Sequence, residues 1–343
     1  MNKTKSILMP TPCISVIMSV YNGARFLREA VDSILQQSFT DFEFIIVDDA
    51  STDETQAILA GYGDKRIRLL RNTQNVGLTI SLNRALVVAR GRYIARMDAD
   101  DISLPKRFEQ QVEHLDAHQD VLALGTSADI VDARGVFYRR MPVPVCHEDV
   151  VIWLLINCSI VHGSVMFRNR ADIRYNESFK AAQDYDLWVR LLETGRMANL
   201  PEVLYLWRDH AQSVTSARYE MQSALAREIA RRHLSNVIRL GRYDYLLAAS
   251  ILGVGLDAEK RERVVSAMKN WAGAKQVDGR LMRRALYSYP IAVSAVPALL
   301  KELMTLWGVV EGVIWLCSRY GWFVFLRLFQ RLVPACNRRS REM

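Results

Sequence analysis

The sequence predicts an α/β fold built on a mainly parallel open sheet and followed by a helical C-terminal extension. Three observations lead there. Short β-branched runs alternate with helix-period segments over residues 14–101, the rhythm of βαβ units. Polar residues gather where those runs end. From about residue 220 the pattern turns helical and the charge changes sign. The 343 residues, 50% hydrophobic and 24% charged, suffice for one large domain plus an extension.

The elements follow in order. Residues 14–18 are apolar and β-branched, with Asn22-Gly23 turn chemistry after them, which reads as a buried strand. Residues 24–37 carry apolar side chains at 26, 27, 30, 31, 34 and 35, a helical spacing. A second strand over 42–47 ends in Asp48-Asp49, and Ser51-Thr52-Asp53-Glu54 offers N-cap chemistry for a helix over 54–60. Asp53 is read as that cap. A third strand covers 67–70, and Asn75-Val76-Gly77 shapes a turn into a helix over 78–90. A fourth strand over 93–97 ends in Asp98-Ala99-Asp100-Asp101. Beyond it the pattern is less regular, with a helix over 105–118, strands over 121–125 and 164–167, and a helix over 184–192 that starts at Asp184.

Ligands of open α/β sheets bind at the carboxyl edge of the strands. Asn22, Asp48, Asp49, Asp98, Asp100 and Asp101 fall on that one rim. Carboxylates as close as Asp98, Asp100 and Asp101 repel one another unless solvent or a cation relieves them. Mg²⁺ and Mn²⁺ prefer oxygen ligands and share them with substrate phosphates. A solvated acidic turn, or a cap for the next helix, would use the same residues.

The charge is uneven. Residues 1–220 hold 25 Lys+Arg and 28 Asp+Glu, a net −3, whereas 221–343 hold 20 and 9, a net +11. Cys13, Cys146, Cys158, Cys317 and Cys336 show no paired spacing and read as thiols of a reducing compartment. Pro10 and Pro12 interrupt the first apolar stretch, so residues 1–12 are expected to be a tail, not a signal peptide, and the catalytic unit to be cytoplasmic.

Four blocks in order, Pro12–Asn22, Phe42–Asp53, Asn75–Leu78 and Gly91–Asp101, resemble the family 2 glycosyltransferases of the GT-A fold. The resemblance spans roughly residues 12–215 and implies a domain over 13–220 that takes a sugar from a nucleotide diphosphate with inversion. It implies donor binding by Tyr21, Asn22, Asp49, Asp98 and Asp100, with Tyr21 against the base and Asp49 accepting from it. It further implies Mn²⁺ or Mg²⁺ at Asp100 and Asp101.

Gln183-Asp184-Tyr185-Asp186-Leu187-Trp188 resembles the family's catalytic-base block, with Asp184 as the base and Asp186 structural. The family usually has Glu where Gln183 stands. Tyr205 to Thr215 resembles its closing block, which implies Arg208 on the diphosphate and His210 as a third metal ligand. His162-Gly163-Ser164 is placed on the acceptor side without a chemical role.

Residues 303–333 are apolar and Trp-rich, with Trp307, Trp315 and Trp322, and Glu311, Arg319 and Arg327 interrupt them at eight-residue intervals. Such a segment with a basic tail suits a membrane interface, and an ordinary helical subdomain or oligomer contact would use the same pattern. The expected partners are a nucleotide-diphosphate sugar, a UDP-sugar first, and a glycan or lipid-linked glycan of surface polysaccharide biosynthesis. The site then lies on the cytoplasmic face of the membrane. The back third is too apolar for a solvated nucleic-acid face, and no GxGxxG follows the first strand, which argues against a dehydrogenase. A nucleotidyltransferase and an inactive nucleotide-sugar-binding scaffold remain as alternatives.

Overall fold

The computed structural model describes residues 11–210 apart from 142, 155–157 and 159, together with 221, 222, 224–226, 228, 229 and 232. The first half follows the predicted rhythm: β1 (Ile14–Val20), α1 (Leu27–Leu35), β2 (Phe42–Asp48), α2 (Thr55–Ala60), β3 (Ile67–Arg71), α3 (Leu78–Val88) and β4 (Tyr93–Arg96). The second half holds β5 (Ile102–Ser103), α4 (Arg107–Ala117), β6 (Val121–Val131), β7 (Phe137–Met141), α5 (His147–Leu154), β8 (Met166–Arg168), α6 (Gln183–Leu191) and β9 (Arg196–Arg208).

Among the described residues these strands form one sheet in the order β3-β2-β1-β4-β8-β6-β9-β5, with β7 paired to β6 off this path. The strands β1 to β4 pair in parallel, in registers such as Val20↔Asp48 and Asp48↔Arg71. Beyond β4 the sheet is mixed: β8 is antiparallel to both neighbours, whereas β6 and β9 are parallel.

Successive residues of a strand face opposite sides of a sheet, and both sides are covered here. Val16 and Met18 pack with Leu27, Val31 and Phe108 on one face. Ile17 packs with Leu82, Ile94 and Trp188 on the other. This is why β1 and β2 carry apolar residues on both faces, interrupted only by Ser15, Ser19 and Glu43 before the closing Asp48. Each fully buried Leu, Ile or Phe contributes roughly 1.5–3 kcal/mol, so the two covered faces lock the register that lines up the strand ends.

Several expected bounds shift. The helix expected from residue 24 begins at Leu27, because Phe26 and Leu27 first close a turn onto the Gly23 carbonyl. The strand expected over 164–167 is preceded by a 3-10 turn at His162–Ser164 and starts at Met166. The structure adds β5, β7, α5 and β9, and β6 continues past the expected end at residue 125 to Val131.

Residues 1–10, Ser213 and Thr215 of the closing block, Cys317, Cys336, Trp307, Trp315, Trp322 and nearly all of the expected 221–343 region lie outside the described residues. Cys13, Cys146 and Cys158 are thiols. Among the described residues no helix is long and apolar enough to cross a membrane.

Candidate active site

The rim forms where β1, β2 and β4 end. After β1 the chain turns at Asn22, whose φ of 51° is one Asn tolerates better than most residues. Asn22 N–H donates to Ser51 Oγ at 3.0 Å, and Thr52 N–H donates to Asn22 Oδ1 at 2.8 Å. The two loops are thereby stitched together. Asp53, expected as the cap of α2, precedes the N-cap residue Glu54 and accepts from Thr55 N and, across the loops, from Ala24 N. Tyr21 stands beside them, 49% exposed, with its ring open to a planar ligand.

Asp49 is turned inward. Its carboxylate accepts from Asn72 Nδ2 at 2.7 Å, Val76 N at 2.9 Å and Gly77 N at 2.8 Å. This fastens the 72–77 loop, where Gly77 takes a φ of 92° that few side chains allow. The neighbouring Asp48 is also buried. Its Oδ1 accepts from Ser51 N, while the buried Oδ2 has no hydrogen-bond partner among the described residues and faces Arg71 Nε at 3.7 Å.

At the end of β4 the acids diverge. Asp100 is partly exposed and meets His210 Nε2 at 2.9 Å through Oδ2. Asp101 is buried: its carboxyl accepts from Arg208 N at 2.7 Å and from the Tyr205 hydroxyl. Burial, then repulsion from Asp100 and Asp98, push its pKa well above the usual carboxylate range. Asp98 is held by Arg96 Nη1 at 2.5 Å, and its N–H donates to the Tyr205 hydroxyl at 3.3 Å. Burial raises the Asp98 pKa, the Arg96 charge opposes that rise, and Asp100 and Asp184 add to it.

Arg208 is the residue expected on the diphosphate. That side chain is 1% exposed. Its Nε donates to Asp100 O at 2.8 Å, its Nη1 to Ala133 O at 3.4 Å and its Nη2 to Glu29 Oε2 at 2.6 Å. With each nitrogen engaged, it braces the acidic loop from behind. Asp101, expected on a metal, is likewise taken up by its contacts with β9.

Asp184 stands in the first turn of α6. Burial raises its pKa, while backbone N–H groups of that turn and the Arg96 charge hold it down. The Cys158 thiol lies 3.8 Å from Asp184 Oδ2. Burial, followed by the Asp184 charge, pushes that thiol well above its ordinary value. Asp98 and Asp184 lie close enough for the Asp184 charge to act on Asp98. Asp186, by contrast, is buried away from the rim in ion pairs with Arg190 at 2.9 Å and Arg232, as expected of a structural residue.

Four residues of this site had no assigned chemistry in the sequence: Arg96, His162, Tyr175 and Tyr205. His162 Nε2 meets the Tyr175 hydroxyl at 2.8 Å, and burial followed by the Arg96 charge keeps its imidazole neutral. One signal was available. Arg96 interrupts a buried apolar strand, and a charge placed there needs a reason.

Among the described residues no three His, Cys, Asp or Glu side chains converge as a metal cluster. The Asp100–His210 pair is an oxygen–nitrogen donor set at the open part of the rim, and His210 Nδ1 is buried without a hydrogen-bond partner among the described residues. Two protein ligands fit a divalent ion that takes its remaining ligands from phosphate and water.

Comparison with known proteins agrees with this geometry. The family model described as "Glycosyl transferase family 2" matches residues 15–175. A Bacillus subtilis (strain 168) chain whose name describes a glycosyltransferase, EpsE, is 36% identical over 252 residues, covering 70% of this chain and 88% of that one. The O-antigen biosynthesis glycosyltransferase WbnJ of Escherichia coli is 32% identical over 237 residues, covering 66% and 92%. Two solved structures share the fold at a TM-score of 0.51. They are S. aureus TarS 1–349 with UDP-GlcNAc, at 20% identity covering 84% of this chain and 81% of that one, and the Pyrobaculum calidifontis mannosyltransferase PcManGT with GDP-Man and Mn²⁺, at 18% identity covering 89% and 88%. With the rim and its acids in place, the chain belongs to the family 2 glycosyl transferases and is a glycosyltransferase of the GT-A fold.

Proposed function

We propose that this enzyme performs a single inverting displacement, moving a sugar from a nucleotide diphosphate to a hydroxyl of a glycan or lipid-linked glycan in surface polysaccharide biosynthesis. The observation that carries the reading is the acidic rim after β4, where the partly exposed Asp100 meets His210 Nε2 at 2.9 Å, together with Asp184 in the first turn of α6. One displacement requires a base for the attacking hydroxyl and a means of stabilising the departing diphosphate.

In this reading Tyr21 stacks on the donor base and Asp49, on the same part of the rim, accepts from it while fastening the adjoining loop. Asp98 and Asp100 face the sugar and the ribose. Asp100 and His210 hold Mn²⁺ or Mg²⁺, which when bound neutralises charge on the diphosphate. Asp184 takes the acceptor proton as the hydroxyl oxygen bonds to the anomeric carbon and the bond to the diphosphate breaks. Cys158, His162 and Tyr175 wall this acceptor side. The ligands of the solved neighbours, UDP-GlcNAc and GDP-Man with Mn²⁺, favour a nucleotide-sugar donor, with a UDP-sugar as the first to try. The name of the O-antigen relative favours a surface-glycan acceptor. The basic, apolar 221–343 stretch favours a peripheral position on the cytoplasmic face of a membrane.

The test is binding and hydrolysis of a panel of UDP-, GDP- and dTDP-sugars by the full chain in detergent, with Mn²⁺, with Mg²⁺ and with chelator. Selection of one donor, dependent on the ion, is the expected result. Binding without turnover under every condition would favour an inactive scaffold. Equal turnover with chelator would remove the metal from the mechanism.

A further inference from the structure

One end of the β6–β7 hairpin stands clear of the body on both sides. Successive strand residues face opposite sides of a sheet, yet every residue from 134 to 140 is exposed, whereas Ile130 and Val131 of β6 beside them are buried. The exposed run includes Val136, Phe137 and Tyr138 in succession, at 59%, 54% and 50%. Apolar residues exposed in a row are a liability in water unless something covers them in use.

The turn that presents them is firmly built. Asp132 Oδ1 accepts from Arg134 N at 2.8 Å and from Val136 N at 2.9 Å, Asp132 N donates to Val136 O at 2.9 Å, and Gly135 takes a φ of 81°. The register with β6 shifts between Ile130 and Val131, so that Tyr138 is the extra residue of a bulge. Its hydroxyl donates to Asp209 Oδ2 at 2.5 Å, which ties the hairpin to the residue before His210.

The polar groups that could recognise a sugar or a peptide are engaged. Asp132 serves the turn, Asp129 pairs with Arg140 at 2.8 Å, and Asp209 holds the Tyr138 hydroxyl. What stays exposed is apolar or cationic. Arg134 meets Asp132 only at 3.6 Å, and Arg139 forms no ion pair among the described residues. An apolar tip flanked by guanidinium groups matches the interface of an anionic bilayer, where rings and aliphatic tips enter below the headgroups and arginines meet the lipid phosphates.

We propose that the 134–140 tip of the β6–β7 hairpin docks on an anionic lipid surface, with Val136 and Phe137 entering the interface and Arg134, Arg139 and Arg140 meeting the headgroups. This rests on the peripheral membrane position proposed above and gives it a contact separate from the 221–343 stretch.

The test uses the full chain and vesicles of phosphatidylcholine with and without phosphatidylglycerol, read by co-sedimentation and by hydrogen exchange of residues 132–141. The protein is expected to bind the phosphatidylglycerol vesicles, less so at high salt, and hairpin exchange is expected to slow. Val136→Ser/Phe137→Ser should weaken binding by roughly 10-fold or more, and Arg139→Glu should weaken it only where phosphatidylglycerol is present. Donor hydrolysis without vesicles should stay at the wild-type rate in both variants. Binding that both variants leave intact, with hairpin exchange unchanged, would overturn the proposal and leave the peripheral position to residues 221–343. Absence of binding to any vesicle would overturn both. Slow exchange before vesicles are added would assign the tip to another part of this chain or to a second copy, and protection by soluble alginate in place of vesicles would assign it to an anionic glycan. Either result overturns the lipid assignment.

Discussion

His210 Nε2 lies 2.9 Å from Asp100 Oδ2 and joins two segments 110 residues apart in the chain. The imidazole also packs against Phe26 at a centroid distance of 4.9 Å, so the end of β9, the start of α1 and the acidic loop after β4 meet at one point. A carboxylate and an imidazole at hydrogen-bond distance can instead share a divalent cation.

From this pair follows the first prediction. His210→Ala and Asp100→Asn should each weaken Mn²⁺ binding, measured by titration calorimetry with the nucleoside diphosphate of the selected donor, by at least roughly 10-fold. Asp101→Asn should change it much less, because that carboxyl is committed to Arg208 N and Tyr205. Equal losses at all three positions would place Asp101 on the ion after all.

Asp184→Asn should slow transfer by roughly 10²–10⁴-fold while donor affinity stays near wild type. The base works deprotonated, and burial raises its pKa. Transfer should therefore begin to fall, as pH is lowered, above the usual aspartate value. The same shift makes a prediction for stability. A carboxyl that binds its proton more tightly in the folded state costs stability once pH rises past that raised value. Asp184→Asn should consequently raise Tm at neutral pH, and the gain should vanish in acid. A gain that persisted unchanged at low pH would detach it from this titration.

At Gly163 the backbone presses on the site. A Cβ there would stand 1.9 Å from Tyr205 Oη and 2.8 Å from Asp98 Oδ2. Gly163→Ala should displace the hydroxyl that serves Asp98 and Asp101, at a cost of about 1–3 kcal/mol in urea unfolding, and should reduce transfer as well. Tyr205→Phe should reproduce the loss of transfer without the clash. A Gly163→Ala protein with wild-type stability would show that Tyr205 yields freely.

Far from the rim, Glu43 offers a control. Burial alone would raise its pKa, but hydrogen bonds from Ser15 Oγ, at 2.7 Å, and from Arg90 outweigh burial and lower it. A depressed folded pKa contributes stability above the unfolded value and loses it as pH falls through the folded one. Glu43→Gln should thus destabilise by about 1–3 kcal/mol at neutral pH, with the gap to wild type closing toward pH 3 in denaturant titrations and transfer chemistry unaffected. A gap constant with pH would assign the effect to packing.

How legible these features were depended on what each residue had to satisfy. The strands β1, β2 and β4 could be read because they are covered on both faces and so are mostly apolar on both. The 13-residue β9 could not. Its pairing with β6 shifts register near Thr126–Ala128, opposite Leu200–Tyr205 with Pro201 between them, and this breaks any simple period. β7 is mostly exposed and has no buried side to mark it. Asp184 and Asp186 were separable because two residues apart on a helix they face different ways, and the structure adds the ion pairs that hold Asp186.

By itself the sequence determined the βαβ rhythm, the family and the rim on which the acids collect, because local periodicity and the order of strand ends are written along the chain. Only the tertiary structure decided which polar atoms on that rim are open. Asp100 and Asp101 are adjacent in sequence, yet Asp101 is buried and consumed by Arg208 N and Tyr205 while Asp100 stays partly exposed. Arg208 is expected on the diphosphate, and in the fold Asp100 O, Ala133 O and Glu29 accept from its nitrogens. Hydrogen-bond capacity is finite, and what spends it comes from strands and loops far away in the chain. Residue type sets what a side chain could do, whereas packing sets which atoms remain free to do it.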